Sequence, residues 1–504
     1  MRELAAALTS ANFTAEGIAA HLGPDATDAL YRGEPGVVLA ATRGGTTLDS
    51  LIRFFLLRRP ATGEQLADML GSRLGLSLID ASFVAPTPAG DLEVQFDVRP
   101  HIVAGEPRLV LSDRDASVTD IVPGRDHVLG VGAASLSLLS AAPQTPVDRV
   151  LDLGTGSGIQ ALAQAGCAER VVATDVHPRA IALAEATLAA NNVDNVELRT
   201  GGWFDPVAGE RFDRIVANPP FVVGLPEVGH VYRDSGLALD GATELVLSQA
   251  PDYLAEDGTA CVLGAWVHTL DTPWQTRVAS WLPSTGISAW VLQRDVVDPG
   301  MYVSTWLKDE SVDPRSREAI ERTETWLDFF DAHDVHAIGF GWVFLRDIGD
   351  ASSEITAEEL RQTFTDPLGP EVEEYFLRTD WLRGRDRDGV LDAAYLLRPG
   401  VALEGVQLAD DVTGMGFAPE VTRITRTDGP RFSHTIDDAV RAILSGLHPQ
   451  GLPLRAVVGL LAASRGLTDA AQIAELEADA ASVIVDLVRH GLVIPADIAE
   501  VVAA

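Results

Sequence analysis

Apolar runs and amphipathic stretches alternate through the middle of this chain of 504 residues. Short apolar runs predict buried strands, and longer amphipathic or Ala-rich stretches predict helices. The predicted strands are 149–153, 171–174, 196–199, 214–217, 259–264, 286–295 and 335–346. The predicted helices are 159–165, 179–191, 242–253 and 315–332. Strands that alternate with helices predict an α/β fold with a doubly wound, mostly parallel sheet.

The first 88 residues have a mostly helical pattern. An amphipathic helix is predicted at 48–57, and a second at 62–70 opens with a Thr62/Gln65 capping box. Two short helices around 59–61 predict a helix-turn-helix within a winged-helix-like module. Its second helix carries Glu64 and little positive charge, which favours a packing or substrate-presenting module over a DNA reader.

The pattern predicts four regions along the chain. After the N-terminal module of residues 1–88 comes a β-hairpin linker, 89–123, with strands at 92–98 and 108–111. The central α/β domain is predicted at 124–347. An α+β module follows at 348–504, with helices at 355–364 and 372–376, strands at 393–408 and 420–427, and three further helices at 439–447, 454–465 and 480–490. The spacing of those last helices predicts a second winged-helix-like unit.

A glycine-rich turn follows the first strand of the central domain, with Gly154, Gly156 and Gly158 at alternate positions after Asp152. Such a turn lets the backbone approach a ligand closely and aims a helix N-terminus at it. The spacing differs from the G-x-G-x-x-G of dinucleotide sites, and the Lys-Ser/Thr of a P-loop is absent. It therefore disfavours a nicotinamide oxidoreductase and predicts a nucleoside ligand without a phosphate chain.

An acid stands at the end of the next strand, where Asp175 follows a run of apolar residues. Ligands of open parallel sheets lie at the carboxyl ends of the strands, and an acid there can hold ribose hydroxyls. The alternative interpretation is that Asp175 caps the helix that follows Pro178.

The strand at 214–217 ends in Asn218-Pro219-Pro220-Phe221. Together with the glycine turn, this tetrapeptide resembles the class I methyltransferases that bind S-adenosylmethionine (AdoMet). Residues 124–265 are similar to the release-factor glutamine methyltransferases and the rRNA amino-methyltransferases that share the "methyltransferase small" domain. This resemblance implies a Rossmann-like sheet of seven strands whose last pair, 286–295 and 335–346, is antiparallel.

The resemblance also implies roles for individual residues. The loop before a predicted helix at 136–140 would cover the methionine end of AdoMet through Gly130 and Gly132, although an ordinary helix cap is the alternative. The remaining residues expected to bind the cofactor are Asp152, Gly154, Thr155, Gly156, Gly158, Asp175, Val176, Trp203 and Asn218.

Residues 218–221 are the expected catalytic residues. The Asn218 side-chain oxygen and the Pro219 carbonyl can accept hydrogen bonds from both N–H groups of the nitrogen to be methylated. They can thereby stabilise the positive charge that develops on this nitrogen. Pro219 and Pro220 restrict the backbone and supply no competing N–H. The ring of Phe221 offers a face on which an amide or a base can stack.

Three residues depart from the patterns of these families. The glutamine enzymes have Asp-Trp-Phe where this chain has Gly202-Trp203-Phe204, which removes a carboxylate contact to the adenine amine. The glutamine and adenine-N6 enzymes usually have Tyr at the position of Phe221. The guanine-N2 enzymes have Phe followed by His, whereas Val222 follows here. The acceptor subclass is therefore left open by these motifs.

Composition and charge limit the classes of partner and of site that the chain can have. The formal net charge is −35, which argues against a general polyanion-binding surface, and Lys308 is the only lysine. Cys167 and Cys261 are too few for a disulfide framework, and no Cys/His cluster has zinc spacing. No apolar run is long enough for a membrane span. We therefore expect a cytoplasmic protein without a metal site.

The sequence predicts an AdoMet-dependent N-methyltransferase that acts on a macromolecule. The acidic balance favours a protein glutamine, such as that of a release factor. The alternatives are an adenine or guanine amine in rRNA or tRNA, which would make the chain a nucleic-acid binder, and a non-catalytic adaptor with the same fold. An adaptor has no need of the intact Asn-Pro-Pro-Phe.

Overall fold

The computed structural model describes residues 1–114, 124–226, 234–309 and 312–502. Residues Met1–Glu359 and Leu360–Ala504 form two separate units. The first unit begins with seven helices: α1 Arg2–Ser10, α2 Ala15–Leu22, α3 Pro24–Tyr31, α4 Pro35–Ala41, α5 Thr47–Leu51, α6 Gly63–Leu70 and α7 Ser72–Asp80. The predicted helix at 48–57 is instead α5 followed by a π-helical turn, Ile52–Leu56.

The predicted capping box is present, because the side chains and backbones of Thr62 and Gln65 hydrogen-bond reciprocally. Two short hairpins follow, formed by β1 Val84–Pro86 with β2 Leu92–Val94 and by β3 Asp97–Val103 with β4 Glu106–Ser112. The single strand predicted at 92–98 is wrong. The chain turns between β2 and β3, and β3 runs on to a tight turn at Ala104-Gly105. The winged-helix assignment stays a prediction.

An eight-stranded sheet forms the centre of the first unit. Its strands are β5 Val147–Leu153, β6 Ala168–Asp175, β7 Val196–Thr200, β8 Phe212–Ala217, β9 Leu254–Thr269, β10 Thr285–Val297, β11 Val335–Ser352 and β12 Glu354–Glu359. They lie in the order β12-β10-β11-β9-β8-β5-β6-β7. Strands β5 to β9 are parallel, and β11 is antiparallel to both β9 and β10. The doubly wound α/β fold and the antiparallel last pair are confirmed.

The helices of the central domain alternate with its strands, as the pattern predicts. They are α8 Ala133–Ala141, α9 Ile159–Gln164, α10 Pro178–Ala190, α11 Gly241–Gln249, α12 Trp274–Ser280, α13 Pro299–Asp309 and α14 Arg317–Ala332. Helix α12 was not predicted, and neither was α13. Together with α14 it forms a helical insert between β10 and β11.

The predicted count of seven strands is wrong, because β12 adds an eighth strand that pairs parallel with β10. Residues 355–364 were predicted to be helical, but the pairing with β10 extends residues 354–359 as an edge strand instead. The predicted domain boundary after residue 347 falls within β11. We therefore propose that the central domain extends to Glu359.

The second unit combines a long hairpin with a group of helices. Its helices are α15 Gly369–Arg383, α16 Arg387–Leu391, α17 Asp438–Ser445, α18 Leu454–Ser464, α19 Ala470–Arg489 and α20 Ala499–Val502. Its strands are β13 Tyr395–Leu397, β14 Val401–Ala409, β15 Phe417–Arg426, β16 Ser433–Thr435 and β17 Val493–Pro495. The single strand predicted at 393–408 is wrong, because Pro399-Gly400 turns the chain between β13 and β14.

Candidate active site

Three parallel strand ends meet on one edge of the sheet. Leu153, the last residue of β5, is paired with Thr174 of β6 and with Ala217 of β8. The residues that follow are the glycine turn, Asp175 and Asn218. All three line one cavity of about 520 Å³, a size typical of small-molecule sites.

The cavity brings together nearly all of the residues predicted from the sequence. Its walls include Gly130, Gly132, Gly154, Thr155, Gly156, Asp175, Val176, Trp203, Asn218, Pro219, Pro220 and Phe221. Asp152 and Gly158 are the two that are not on its wall. Asp152 accepts a hydrogen bond from Thr155 of the turn, and Gly158 packs closely against Ala184 of α10. We therefore propose a structural role for both residues in place of direct contact with a ligand.

The glycine turn needs its glycines for two different reasons. Gly154 and Gly156 have φ of 77° and 54°, and a Cβ on either residue would meet no atom within 4 Å. They are therefore required for the backbone conformation and leave open space in front of the turn. Gly158 has φ of 85°, and a Cβ there would lie 3.1 Å from the Cα of Ala184 on α10, so it also allows close helix packing.

Asp152 fixes the turn from inside the sheet. One of its carboxylate oxygens accepts hydrogen bonds from the Thr155 hydroxyl at 2.6 Å and from the Ala161 backbone N–H at 2.9 Å. The side chain is buried, and its other oxygen has no hydrogen-bond partner among the described residues. Burial raises the pKa of Asp152 to about 7.

Asp175 connects the end of β6 to the turn. Its carboxylate accepts hydrogen bonds from the backbone N–H of Gly156 at 3.0 Å and of His177 at 2.9 Å. Burial raises the pKa of Asp175, and the two N–H groups oppose that rise. Each oxygen keeps lone-pair capacity for a further donor, such as a ribose hydroxyl. The backbone carbonyl of Asp175 also accepts from Gly201 N–H at 2.9 Å, which holds the turn before Trp203.

Asn218 is half-buried at the end of β8. Among the described residues, no hydrogen bond holds its side-chain amide, although it lines the cavity. Polar side chains in such positions are usually hydrogen-bonded. An amide without a protein partner on a cavity wall is available to a ligand.

Gln160 and Trp306 are among the wall residues that the sequence analysis missed. Gln160, in the first turn of α9, donates from its Nε2 to the Ser135 carbonyl of α8 at 2.9 Å and so fastens α8 beside the glycine turn. Trp306 lies on α13, one of the helices that were not predicted. No local motif distinguishes either residue, because only the folded chain brings them to the cavity.

Two kinds of feature are absent from the described residues: a membrane-spanning helix and a metal-binding cluster. No helix in the described ranges combines the length and apolarity that crossing a bilayer requires. The described His, Cys, Asp and Glu residues form no group of three or more arranged to hold a metal ion.

Comparison with known proteins agrees with this geometry. A family model described as a methyltransferase small domain matches residues 129–263. Two models described as domains of unknown function match residues 10–95 and 373–495. The family matches on either side of the central domain therefore indicate no activity.

Several curated relatives are similar to part of the chain. The release factor glutamine methyltransferase of Xylella fastidiosa is 38% identical over 130 residues, which are 23% of this chain and 47% of the relative. That of Yersinia pestis is 37% identical over 172 residues, 31% of this chain and 58% of the relative. The ribosomal protein uL3 glutamine methyltransferase of Xanthomonas campestris is 38% identical over 123 residues, covering 22% and 40%.

The matched segment spans about half the length of these relatives. The glycine turn, Asp175 and Asn218 lie within the family match at 129–263. The sheet topology, the cavity at its strand ends and this match agree with one another. The central part of this chain is therefore similar to the methyltransferase small domain and resembles the class I methyltransferases in its sheet.

Proposed function

We propose that this chain is an AdoMet-dependent N-methyltransferase whose acceptor is the side-chain amide of a protein glutamine. The observation that carries the proposal is the position of Asn218. Its amide, which has no hydrogen-bond partner among the described residues, shares one cavity with the glycine turn and Asp175. The similarity to glutamine methyltransferases supports the acceptor class, as does the net charge of −35, which disfavours RNA.

The residues present fit AdoMet. The turn at Gly154 and Gly156 faces open space, Asp175 offers a carboxylate for ribose hydroxyls, and the cavity volume of about 520 Å³ suits a nucleoside with an amino-acid tail. In this proposal Trp203 lies beside the adenine, and Gly130 and Gly132 cover the methionine end. When bound, AdoMet supplies an electrophilic methyl group on a sulfonium.

The chain's own residues prepare the acceptor nitrogen. A carboxamide nitrogen is a poor nucleophile because its lone pair is delocalised into the carbonyl. Asn218 Oδ1 and the Pro219 carbonyl would accept hydrogen bonds from its two N–H groups. These bonds would orient the nitrogen and stabilise the positive charge that develops on it as it displaces the thioether S-adenosylhomocysteine from the methyl carbon. One N–H proton must then leave to give the neutral N-methyl amide. Water takes up that proton.

The first test is direct. The purified chain is titrated by calorimetry with AdoMet and, separately, with NAD, and we expect binding of AdoMet only. Methyl transfer is then followed by mass spectrometry of release factors and rRNA from a deletion strain and its parent. Loss of a methyl group on a release-factor glutamine supports the proposal. Loss on an rRNA base instead would favour the nucleobase alternative and overturn the acceptor class.

Asn218→Ala tests the role of the amide. We expect this variant to bind AdoMet as the parent does and to lose methyl transfer by about 100-fold or more, the range seen when one preorganised hydrogen-bonding group is removed from an active site. Retained turnover would remove Asn218 from catalysis. If neither glutamine nor rRNA methylation changes in the deletion strain, the proposed acceptor is wrong.

A further inference from the structure

The loop after Asn218-Pro219-Pro220-Phe221 rests on the helical insert formed by α13 and α14. The buried side chains of Val222 and Val223 pack in one apolar cluster with Tyr302 and Phe330 of the insert. Phe221 and Trp306 border the same cluster while lining the cavity. The insert therefore reaches the active site at the catalytic tetrapeptide.

Tyr302 makes a specific bond to this loop. Its hydroxyl accepts a hydrogen bond from the backbone N–H of Val223 at 2.6 Å, and the side chain is 1% exposed. A backbone N–H in such a buried place needs a partner, and the phenol supplies it. The bond fixes the backbone two residues after Phe221, so it restricts where the Phe221 ring can lie.

A second close approach involves α14. A Cβ on Gly224 would lie 2.8 Å from two ring atoms of Trp326, closer than real Cβ contacts. Only glycine leaves room for the indole at this point. The loop 221–224 is therefore held to α13 through Tyr302 and to α14 through Trp326.

Trp306 lies one helical turn after Tyr302, and their rings are in edge-to-face contact with centroids 6.0 Å apart. This contact orients the indole, which lines the cavity together with Phe221 and Asn218. Aromatic faces are suitable surfaces for a planar carboxamide or base. Neither ring is charged, so the wall they form suits a neutral planar group.

We infer that the helical insert is the acceptor-side wall of the site: Trp306 contacts the acceptor opposite Phe221, and Tyr302 is a positioning residue for the catalytic loop. The inference rests on the proposed methyl transfer, but its first test needs no turnover. Trp306 is part of the binding surface, whereas Tyr302 acts through Val223 and does not contact the acceptor.

The first experiment uses 19F NMR on the full chain labelled with 5-fluorotryptophan. Trp306→Phe identifies the resonance of Trp306 by its absence. The probe is N-acetylglutamine amide, added in the presence of S-adenosylhomocysteine, with N-acetylglutamate amide as the charged control. We expect the glutamine probe to shift the Trp306 resonance and the control to shift it less. Adenosine and guanosine are added in parallel.

The outcomes separate the two proposals. A shift of the Trp306 resonance by a nucleoside but not by the glutamine probe would support the insert as the wall and contradict the glutamine acceptor. If S-adenosylhomocysteine binds but none of the probes moves the Trp306 resonance, the acceptor wall is wrong. If S-adenosylhomocysteine itself does not bind, the proposed function fails.

The second experiment tests Tyr302. We expect Tyr302→Phe to lower kcat by about 10- to 100-fold through misplacement of the loop, with AdoMet affinity unchanged. The matched control is Tyr395→Phe, which removes another buried tyrosine hydroxyl, one that donates to the Val390 carbonyl at 2.7 Å in the second unit. We expect that control to keep kcat. Equal losses in both variants, or a loss only in AdoMet affinity, would overturn the positioning role.

The third experiment uses Trp306→Ala to separate acceptor binding from positioning of the loop. We expect it to raise KM for the acceptor more than it lowers kcat, with partial rescue in Trp306→Phe because an aromatic face is restored. An unchanged KM in Trp306→Ala would contradict contact with the acceptor.

Discussion

The Asp175 carboxylate accepts a hydrogen bond from the Gly156 backbone N–H at 3.0 Å. The acid at the end of one strand thus holds the turn that follows the neighbouring strand. Because its second oxygen accepts from His177 N–H, both oxygens have structural partners as well as room for a ligand. The proposed ribose contact and the shape of the turn therefore depend on the same side chain.

Asp175→Asn should weaken AdoMet binding. An asparagine has one acceptor oxygen, so its NH₂ group would face one of the two backbone N–H donors, and the negative charge is lost. We expect affinity to fall about 10- to 100-fold, which corresponds to one hydrogen bond to a charged group, as measured by calorimetry. The matched control is Asp213→Asn, whose carboxylate accepts from Arg149 N–H at 2.7 Å at the opposite end of the strands. Equal effects in both variants would contradict a role at the site.

Gly154→Ala should reduce cofactor binding beyond its effect on stability. A residue with a Cβ is strained by about 1–2 kcal/mol at φ of 77°, and the methyl group would project into the space before the turn. Gly209→Ala is the control, because Gly209 has φ of 80°, is exposed and lies away from the cavity. Thermal unfolding should shift similarly in both variants, whereas AdoMet titration should be impaired only in Gly154→Ala. Unimpaired titration of Gly154→Ala would show that the space is not used.

Asp152→Asn should change how the stability of the first unit depends on pH. Burial raises the pKa of Asp152 from an ordinary 3.8 to about 7, so the folded state holds a proton that the unfolded state releases. The parent therefore loses stability as pH rises from about 4 to 7. Asparagine does not titrate, so urea unfolding across this range should show the variant gaining relative to the parent as pH rises. A difference that is constant with pH would contradict the raised pKa.

Glu371→Gln should destabilise the second unit. Glu371 is buried between the guanidiniums of Arg378 and Arg426, at 2.6 and 2.5 Å. Burial alone would raise the pKa of Glu371, but the two arginines hold it below its usual value. Removing the carboxylate takes the charge that both guanidiniums share and leaves Arg378 with Glu374 and Arg426 with Asp428, which we expect to cost up to about 3–5 kcal/mol in chemical unfolding. Asp388→Asn, which breaks an exposed pair with Arg455, is the control and should have little effect.

Much of the central fold was predictable because its strands are continuous apolar runs. Strand β5 is fully buried from Val150 to Leu153, and its neighbours on both sides have the same character. The glycine turn and Asn-Pro-Pro-Phe were recognisable because their chemistry depends on adjacent residues. For this reason, most of the site residues predicted from the sequence do lie on the cavity wall.

The failures occur where tertiary contacts decide the structure. Residues 355–364 contain good helix formers, yet residues 354–359 pair with the free edge of β10 and form a strand. The break at Pro399-Gly400 was overlooked between two apolar runs. Trp306 and α13 have no sequence motif that marks them as part of the site, since their relation to Phe221 is created by the fold of the insert.

Strand β12 has a consequence for any shortened form of this protein. Its pairing covers the outer side of β10, from Ser288 to Gln293, where backbone groups would otherwise face solvent. A chain ending at residue 347 would lose that cover and truncate β11 as well. Bare strand edges recruit strands from other molecules, so such a fragment should self-associate and precipitate, whereas one ending after Glu359 should stay monodisperse.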